Sequence, residues 1–150
     1  MTHKYNANAT HNYHAGIGHV GSYQVSGYPY LTGSSVDGDG LDSGSTAKIS
    51  FPSVAKSVTV INQSTGTGDD LRVSFNAPES SDSNVGFVNK GHHYITLTNK
   101  LDSVTFNVKC KEIYITSVQN GSHFELFAEL TGIHTGSMYN LTGSGLTSYD

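Results

Sequence analysis

The chain has 150 residues, 13% of them charged, and a formal net charge of -4, which suits one domain but falls well below the usual ~25% charged share. Arg72 is the sole arginine, so the chain lacks the basic face that phosphate neutralisation requires, and nucleic acid is not an expected partner. Cys110 is the only cysteine, no apolar run approaches a membrane span and residues 1–14 carry no apolar leader core, so neither an intrachain disulfide nor a membrane partner is expected.

Residues 1–44 are polar and rich in Gly, Ser and Asn, with scattered apolar side chains and no helical period. Tyr23, Tyr28, Tyr30 and Leu31 supply much of the bulk here. The stretch reads as an extended arm that buries little of itself. Gly16 to Gly21 matches G-x-G-x-x-G, but a polar tail precedes it and the strand-like SYQVSGY follows, so it lacks the strand–turn–helix context of a dinucleotide site. Asp37-Gly38-Asp39-Gly40-Leu41-Asp42 has its third Asp one place late for a calcium loop, with Lys48 where the bidentate Glu belongs. It reads as a solvated turn.

Residues 45–131 consist of short alternating runs separated by turn residues. Lys48–Phe51 is a strand stopped by Pro52, and Ser57–Asn62 follows with Val58 and Val60 on one face. Leu71–Asn76 points Leu71, Val73 and Phe75 inward and Arg72 outward. Val85–Val88 and His93–Leu97 are shorter strands, the latter with Ile95 and Leu97 on one face. Val104–Cys110 alternates, which predicts Val104, Phe106, Val108 and Cys110 inward and Lys109 outside. Glu112–Val118 pairs Ile113 with Ile115, and Asn120-Gly121 gives a hairpin signal. Phe124–Leu130 puts Phe124, Leu126, Ala128 and Leu130 on one face. Seven or eight short strands at this spacing predict an all-β, β-sandwich or jelly-roll-like domain, flanked by the N-terminal arm and a short C-terminal tail, 132–150, of the same polar style.

No nucleophile elbow, H-E-x-x-H or P-loop occurs. Cys110 falls at an inward position, as a structural thiol does. Glu125 and Glu129 share one outward strand face without a cleft between them. His11, His14, His19 and the His92-His93 pair lie on segments that do not by themselves converge ligands. No catalytic residue, metal site, cofactor or small-molecule substrate is therefore expected. Asn62 heads one of four N-x-S/T triplets, which chance explains in a Ser/Thr-rich chain.

Polar, glycine-rich ends are ordered only when docked. The arm and tail are expected to lie on neighbouring subunits through Tyr23, Tyr28, Tyr30, Leu31, Tyr139 and Leu141, since Tyr joins a large apolar ring to one polar tip. The alternative is that they fold back on their own sandwich. Four stretches then carry a resemblance: GSYQVSG at 21–27 with Pro29-Tyr30 and TGS at 32–34; KSVTVIN at 56–62; NVKCKEIY at 107–114; and FAEL at 127–130 with NLTGSG at 140–145. Together they resemble small virion structural proteins of tailed phages, including marine ones. The resemblance implies a virion component and leaves head, neck and tail positions open; the partners expected are other virion proteins, the major capsid protein and copies of itself. A capsid decoration or cement subunit is the favoured form. A tail-tube or neck subunit and a receptor- or glycan-binding module, using loops 63–70 or 77–84, are the alternatives.

Overall fold

A computed structural model of the chain describes residues 15–24, 27–34, 40–76, 80–82, 86–88 and 94–141. Val25, Val36, Asp37, Asp39, His11, His14, His92, His93, most of loop 77–84 and the tail beyond Leu141 lie outside the described residues. Among the described residues the fold is all-β and sandwich-like. Its strands are β1 (Tyr28–Gly33), β2 (Thr46–Asn62), β3 (Leu71–Ser74), β4 (Ser80–Asp82), β5 (Gly86–Val88), β6 (Ile95–Leu97), β7 (Ser103–Phe106), β8 (Cys110–Ser117) and β9 (Phe124–Leu130). Seven of them form one antiparallel sheet in the order β1-β9-β2-β8-β3-β6, with β7 also on β2, while β4 and β5 pair separately.

The organising element is β2. Its N-terminal half pairs with β8, Thr46 to Thr116 through Ser50 to Glu112. Its C-terminal half lies between β9 and β7, with Val60 opposite both Leu126 and Val104. Register shifts between Ser50 and Ala55, and again between Ala55 and Ser57, mark an irregularity at which the strand turns from one half to the other. Pro52 sits inside this irregularity. The sequence reading ended a strand there, but one strand continues through it, because a proline without N–H is tolerated where the ladder is already broken.

The two halves face each other. Tyr30 of β1 meets the Phe51 ring edge-on, with centroids 5.4 Å apart, and Phe75, just past β3, meets Phe106 of β7 at 5.0 Å. Between them Val58, Val60, Leu71, Val73, Ile113, Ile115, Leu126 and Ala128 are all essentially inaccessible to solvent. Burying an aliphatic side chain of this size contributes roughly 1.5–3 kcal/mol, so this shared core dominates the stability.

Three further readings change. The run Val104–Cys110 is not one strand: β7 ends at Phe106 and β8 begins at Cys110. Both lie along the same side of β2, and the chain between them follows the bend of β2, so the alternation lapses and Val108 is exposed while Cys110 is buried. Ile95 is likewise half-exposed, unlike Leu97. Asn120-Gly121 does not join neighbouring strands, because β2 separates β8 from β9. Gly121 takes the positive φ of 82° that this dipeptide suits, but the turn crosses between the halves and is held by Leu41, whose N–H and C=O bond Ser122 and Gly121.

The described part of 1–44 belongs to the intrachain fold, which narrows the arm expected there. β1 is a strand of the main sheet, in register with β9 from Tyr28–Leu130 to Gly33–Glu125. The short helix α1 (Gly21–Gln24) follows a turn at residues 16–19. This segment packs Ile17 and Tyr23 on a small second cluster of Val54, Ile133 and Met138.

Candidate interaction surface

Alternation along β9 turns Phe124, Leu126, Ala128 and Leu130 into the core and leaves Glu125, Phe127 and Glu129 on the outer face. Leu31 stands opposite Phe127 in the β1–β9 ladder, and Thr59 of β2 stands opposite it on the other side. Leu31 is 75% exposed and Phe127 38%. An open depression of about 610 Å³ lies here, with Leu31, Gly33, Ser34, Ile61, Glu125 and Phe127 among its walls. Glu129 lies 3.4 Å from Lys56, and Glu125 accepts from Gln63 Nε2 at 3.1 Å. The carboxylates flanking Phe127 thus have partners within the chain, and between them Leu31 and Phe127 form an apolar pair bordered by Thr59, which bonds Thr105 at 2.9 Å.

β1 ends the sheet, and among the described residues no strand pairs with its outer edge. Ser34 N–H donates to Phe124 C=O at 3.1 Å, which fixes the parity of the ladder. Main-chain groups of Tyr28, Tyr30 and Thr32 point towards β9, and those of Pro29, Leu31 and Gly33 point outward. Pro29 stands where its missing N–H leaves the intrachain ladder intact, a placement common on sheet edges. The arrangement offers Leu31 and Gly33 donors, three carbonyls and an exposed Leu side chain to a protein strand.

The six expected interface residues divide into two groups. Leu31 and the 69%-exposed Tyr28 lie on this edge strand, while Tyr30 is turned onto Phe51. Tyr23, Tyr139 and Leu141 pack instead on the Val54–Ile133–Met138 cluster. Tyr23 donates its hydroxyl to Ile17 C=O at 2.7 Å and lies under Lys109 Nζ, 4.9 Å from the ring centroid. Burial, then the neighbouring Tyr139, raises the Tyr23 pKa. Ile17 C=O also accepts from Lys109 Nζ at 2.9 Å, so the glycine-rich turn at 16–21 uses its polar groups inside the chain.

Phe127 and Ile61 were not singled out from sequence. The signal for Phe127 was present: four inward residues at even positions from 124 to 130 force 127 outward, and an outward Phe is an exposed aromatic.

Several other chemistry-bearing groups are buried or bonded within the chain. Burial pushes the Cys110 thiol up to about 12, so it stays protonated. Lys48 and Glu112 form an exposed pair at 2.9 Å, and Tyr114 donates to Glu112 at 3.1 Å. The hydrogen bond and charge of Glu112 raise the Lys48 pKa, and burial, then Glu112, raises that of Tyr114. Loop 63–70 is tied inward by Asp69, which accepts from Gly66 N–H at 2.7 Å. Asn62 is fully buried and donates to Leu97 and Asp69 carbonyls, so its amide is not available to carry a glycan. Among the described residues no three His, Cys, Asp or Glu side chains gather as a metal-ligand group, and no helix is long and apolar enough to cross a membrane.

Comparison with protein-family models, curated proteins and solved structures finds no match to this chain.

Proposed function

We propose that this chain is a non-enzymatic structural subunit of a tailed-phage virion, a decoration protein that docks on the capsid shell through the outer sheet face beside β1. The observation that carries the docking mode is the pair of exposed apolar side chains, Leu31 and Phe127, facing each other beside the outer edge of β1. The resemblance of the four stretches at 21–34, 56–62, 107–114 and 127–145 supports the virion as the assembly, and the decoration role makes the major capsid protein and other copies of the chain the partners. The low charge suits surfaces that pack against protein.

The test is to purify virions of the phage that encodes the chain and image them by cryo-electron microscopy, with mass spectrometry of their proteins. Density for this fold at repeated positions on the capsid lattice is the expected result. Density in a ring or helix at the neck or tail would replace decoration with a tail role. Absence of the chain from the particles would overturn the virion reading.

A further inference from the structure

We infer that the partner taken up by the β1 edge is a second copy of this chain, paired antiparallel about a two-fold axis at Leu31. The inference rests on reading this edge as a docking surface. Its warrant is the self-complementarity of the edge and of the side chains behind it.

An antiparallel partner centred on Leu31 lets Leu31 exchange N–H and C=O bonds with its mate, because both groups point outward. Each Gly33 N–H then reaches the Pro29 carbonyl of the other copy, and the donor that Pro29 lacks falls at the end of the ladder. Since Leu31 is opposite Phe127 within the chain, this register completes a row Phe127–Leu31–Leu31–Phe127 across four strands. Shifting the partner by two residues breaks the row and sets Leu31 against Pro29 or Gly33. Cross-strand apolar contacts of this kind favour one register over others.

Charge is compatible with the same register. Glu129 is opposite Pro29 and Glu125 opposite Gly33. In the paired form uncharged Pro29 and Gly33 separate these carboxylates by three strand spacings, about 14 Å. That exceeds the Debye length of about 8 Å at physiological salt. Only Pro29, Leu31 and Gly33 offer outward main-chain groups, a short ladder beside the ~1,200–2,000 Å² of a stable free-standing interface. The pairing is therefore concentration-dependent, and local crowding of copies on a larger assembly strengthens it.

Residue-resolved amide exchange of the full chain, with sedimentation velocity, provides the test. Thr32 N–H bonds β9 and should exchange slowly at every concentration. Leu31 and Gly33 N–H should exchange fast at about 10 µM and slow at least ~10-fold at about 1 mM, a range that spans weak association. Leu31→Pro removes the outward donor without touching the β9 ladder, and Leu31→Lys places a charge on the two-fold axis. Both should abolish the concentration dependence while Thr32 stays protected, which shows that β1 remains folded. Absence of slowing at 1 mM overturns the inference. Slowing that appears only when capsid particles are added also overturns it, in favour of a different partner strand, and leaves the structural-subunit reading standing. A chain that pairs in solution but is missing from virions keeps this inference and defeats the virion reading.

Discussion

Asn62, the last residue of β2, donates its side-chain amide to the carbonyl of Leu97, the last residue of β6, at 3.0 Å. The same amide nitrogen reaches Asp69 C=O at 3.3 Å, and Asn62 Oδ1 accepts from Ser64 N–H at 2.9 Å. One buried side chain thus ties the end of β2, the loop after it and β6 on the opposite half. Removing a partner from buried polar groups costs roughly 1–3 kcal/mol per group left unsatisfied. Asn62→Ala is expected to lower stability by about 3 kcal/mol, read from urea unfolding. Asn62→Leu should not rescue it, because volume is not what is lost.

The strand faces provide a sharper contrast. Ile113 is fully buried in the shared core and Val108 is exposed between β7 and β8. Ile113→Ala should cost about 2–5 kcal/mol and Val108→Ala less than about 0.5. Phe106 is half-buried and keeps its edge contact with Phe75, so Phe106→Ala should fall between them, at about 2 kcal/mol. Equal losses at 108 and 113 would mean that Val108 is covered.

These positions also show what the sequence carried. Period-two alternation identified the inward apolar residues of β3 and β9, as well as the buried Val58, Val60, Ile113 and Ile115, but it missed that Tyr114, Thr116 and Ser117 are buried as well, because β8 is covered on both faces of its second half. Alternation failed where the chain bends. It ran through 107–109 as though β7 and β8 were one strand, and Pro52 was read as an end where β2 only changes halves. Both errors come from a long-range arrangement, the fold of the sheet about β2, which no local pattern encodes. The edge position of Leu31 was hidden for the same reason: β1 and β9 are almost a hundred residues apart in the chain, and only their pairing shows which main-chain groups face outward.

Leu101 has φ 71°, the one non-glycine residue in the left-handed region among the described residues, and it is 65% exposed. Its N–H donates to Asn62 C=O at 2.7 Å, and Asp102 Oδ2 accepts from Asn99 N–H at 2.8 Å, so the turn is held from both sides. An L-residue in this region costs roughly 1–2 kcal/mol, only part of which glycine returns as extra chain entropy. Leu101→Gly is expected to stabilise the protein by about 0.5–1 kcal/mol and raise its Tm. A loss of stability instead would reveal a packing role for the Leu side chain.

Cys110 should contribute to the loss of stability at alkaline pH. Its thiol is raised from 9.0 to about 12 by burial. Below pH 9 the thiol is protonated in both states and adds no pH dependence. Between 9 and about 12 the unfolded chain releases this proton and the folded chain retains it, so the unfolded state binds fewer protons and stability falls as pH rises. Tyr23 and Tyr114, also raised, add loss of the same sign from about pH 10 upward. Cys110→Ala should be less stable near neutrality but show a shallower decline from pH 9 to 11 in denaturant titrations. A decline as steep as that of the unaltered chain would assign the effect to other groups. The folded thiol should also react slowly with a disulfide reagent at pH 8.

Two truncations separate the roles of the N-terminal segments. Deleting residues 1–24 removes Tyr23 and Ile17 from the Val54–Ile133–Met138 cluster and the Lys109 contacts with them, but leaves every strand of the sheet. That loss involves partly buried side chains and the hydrogen bonds that Lys109 and Lys56 donate to the Ile17 and Tyr23 carbonyls, so it should cost about 1–3 kcal/mol and preserve the far-UV signal of a β protein. Deleting residues 1–34 also removes β1. The Phe51 ring then loses Tyr30, and the whole of β9, including Leu126, Ala128 and Leu130 of the core, becomes an uncovered sheet edge. Long apolar edges template association, so this truncation should unfold at markedly lower urea and aggregate on concentration. If the 1–34 deletion were as stable and soluble as the 1–24 deletion, β1 would be an accessory strand whose place lies on another molecule. Pairing of β1 with its own β9 predicts instead that the 1–34 deletion is the less stable and the less soluble of the two.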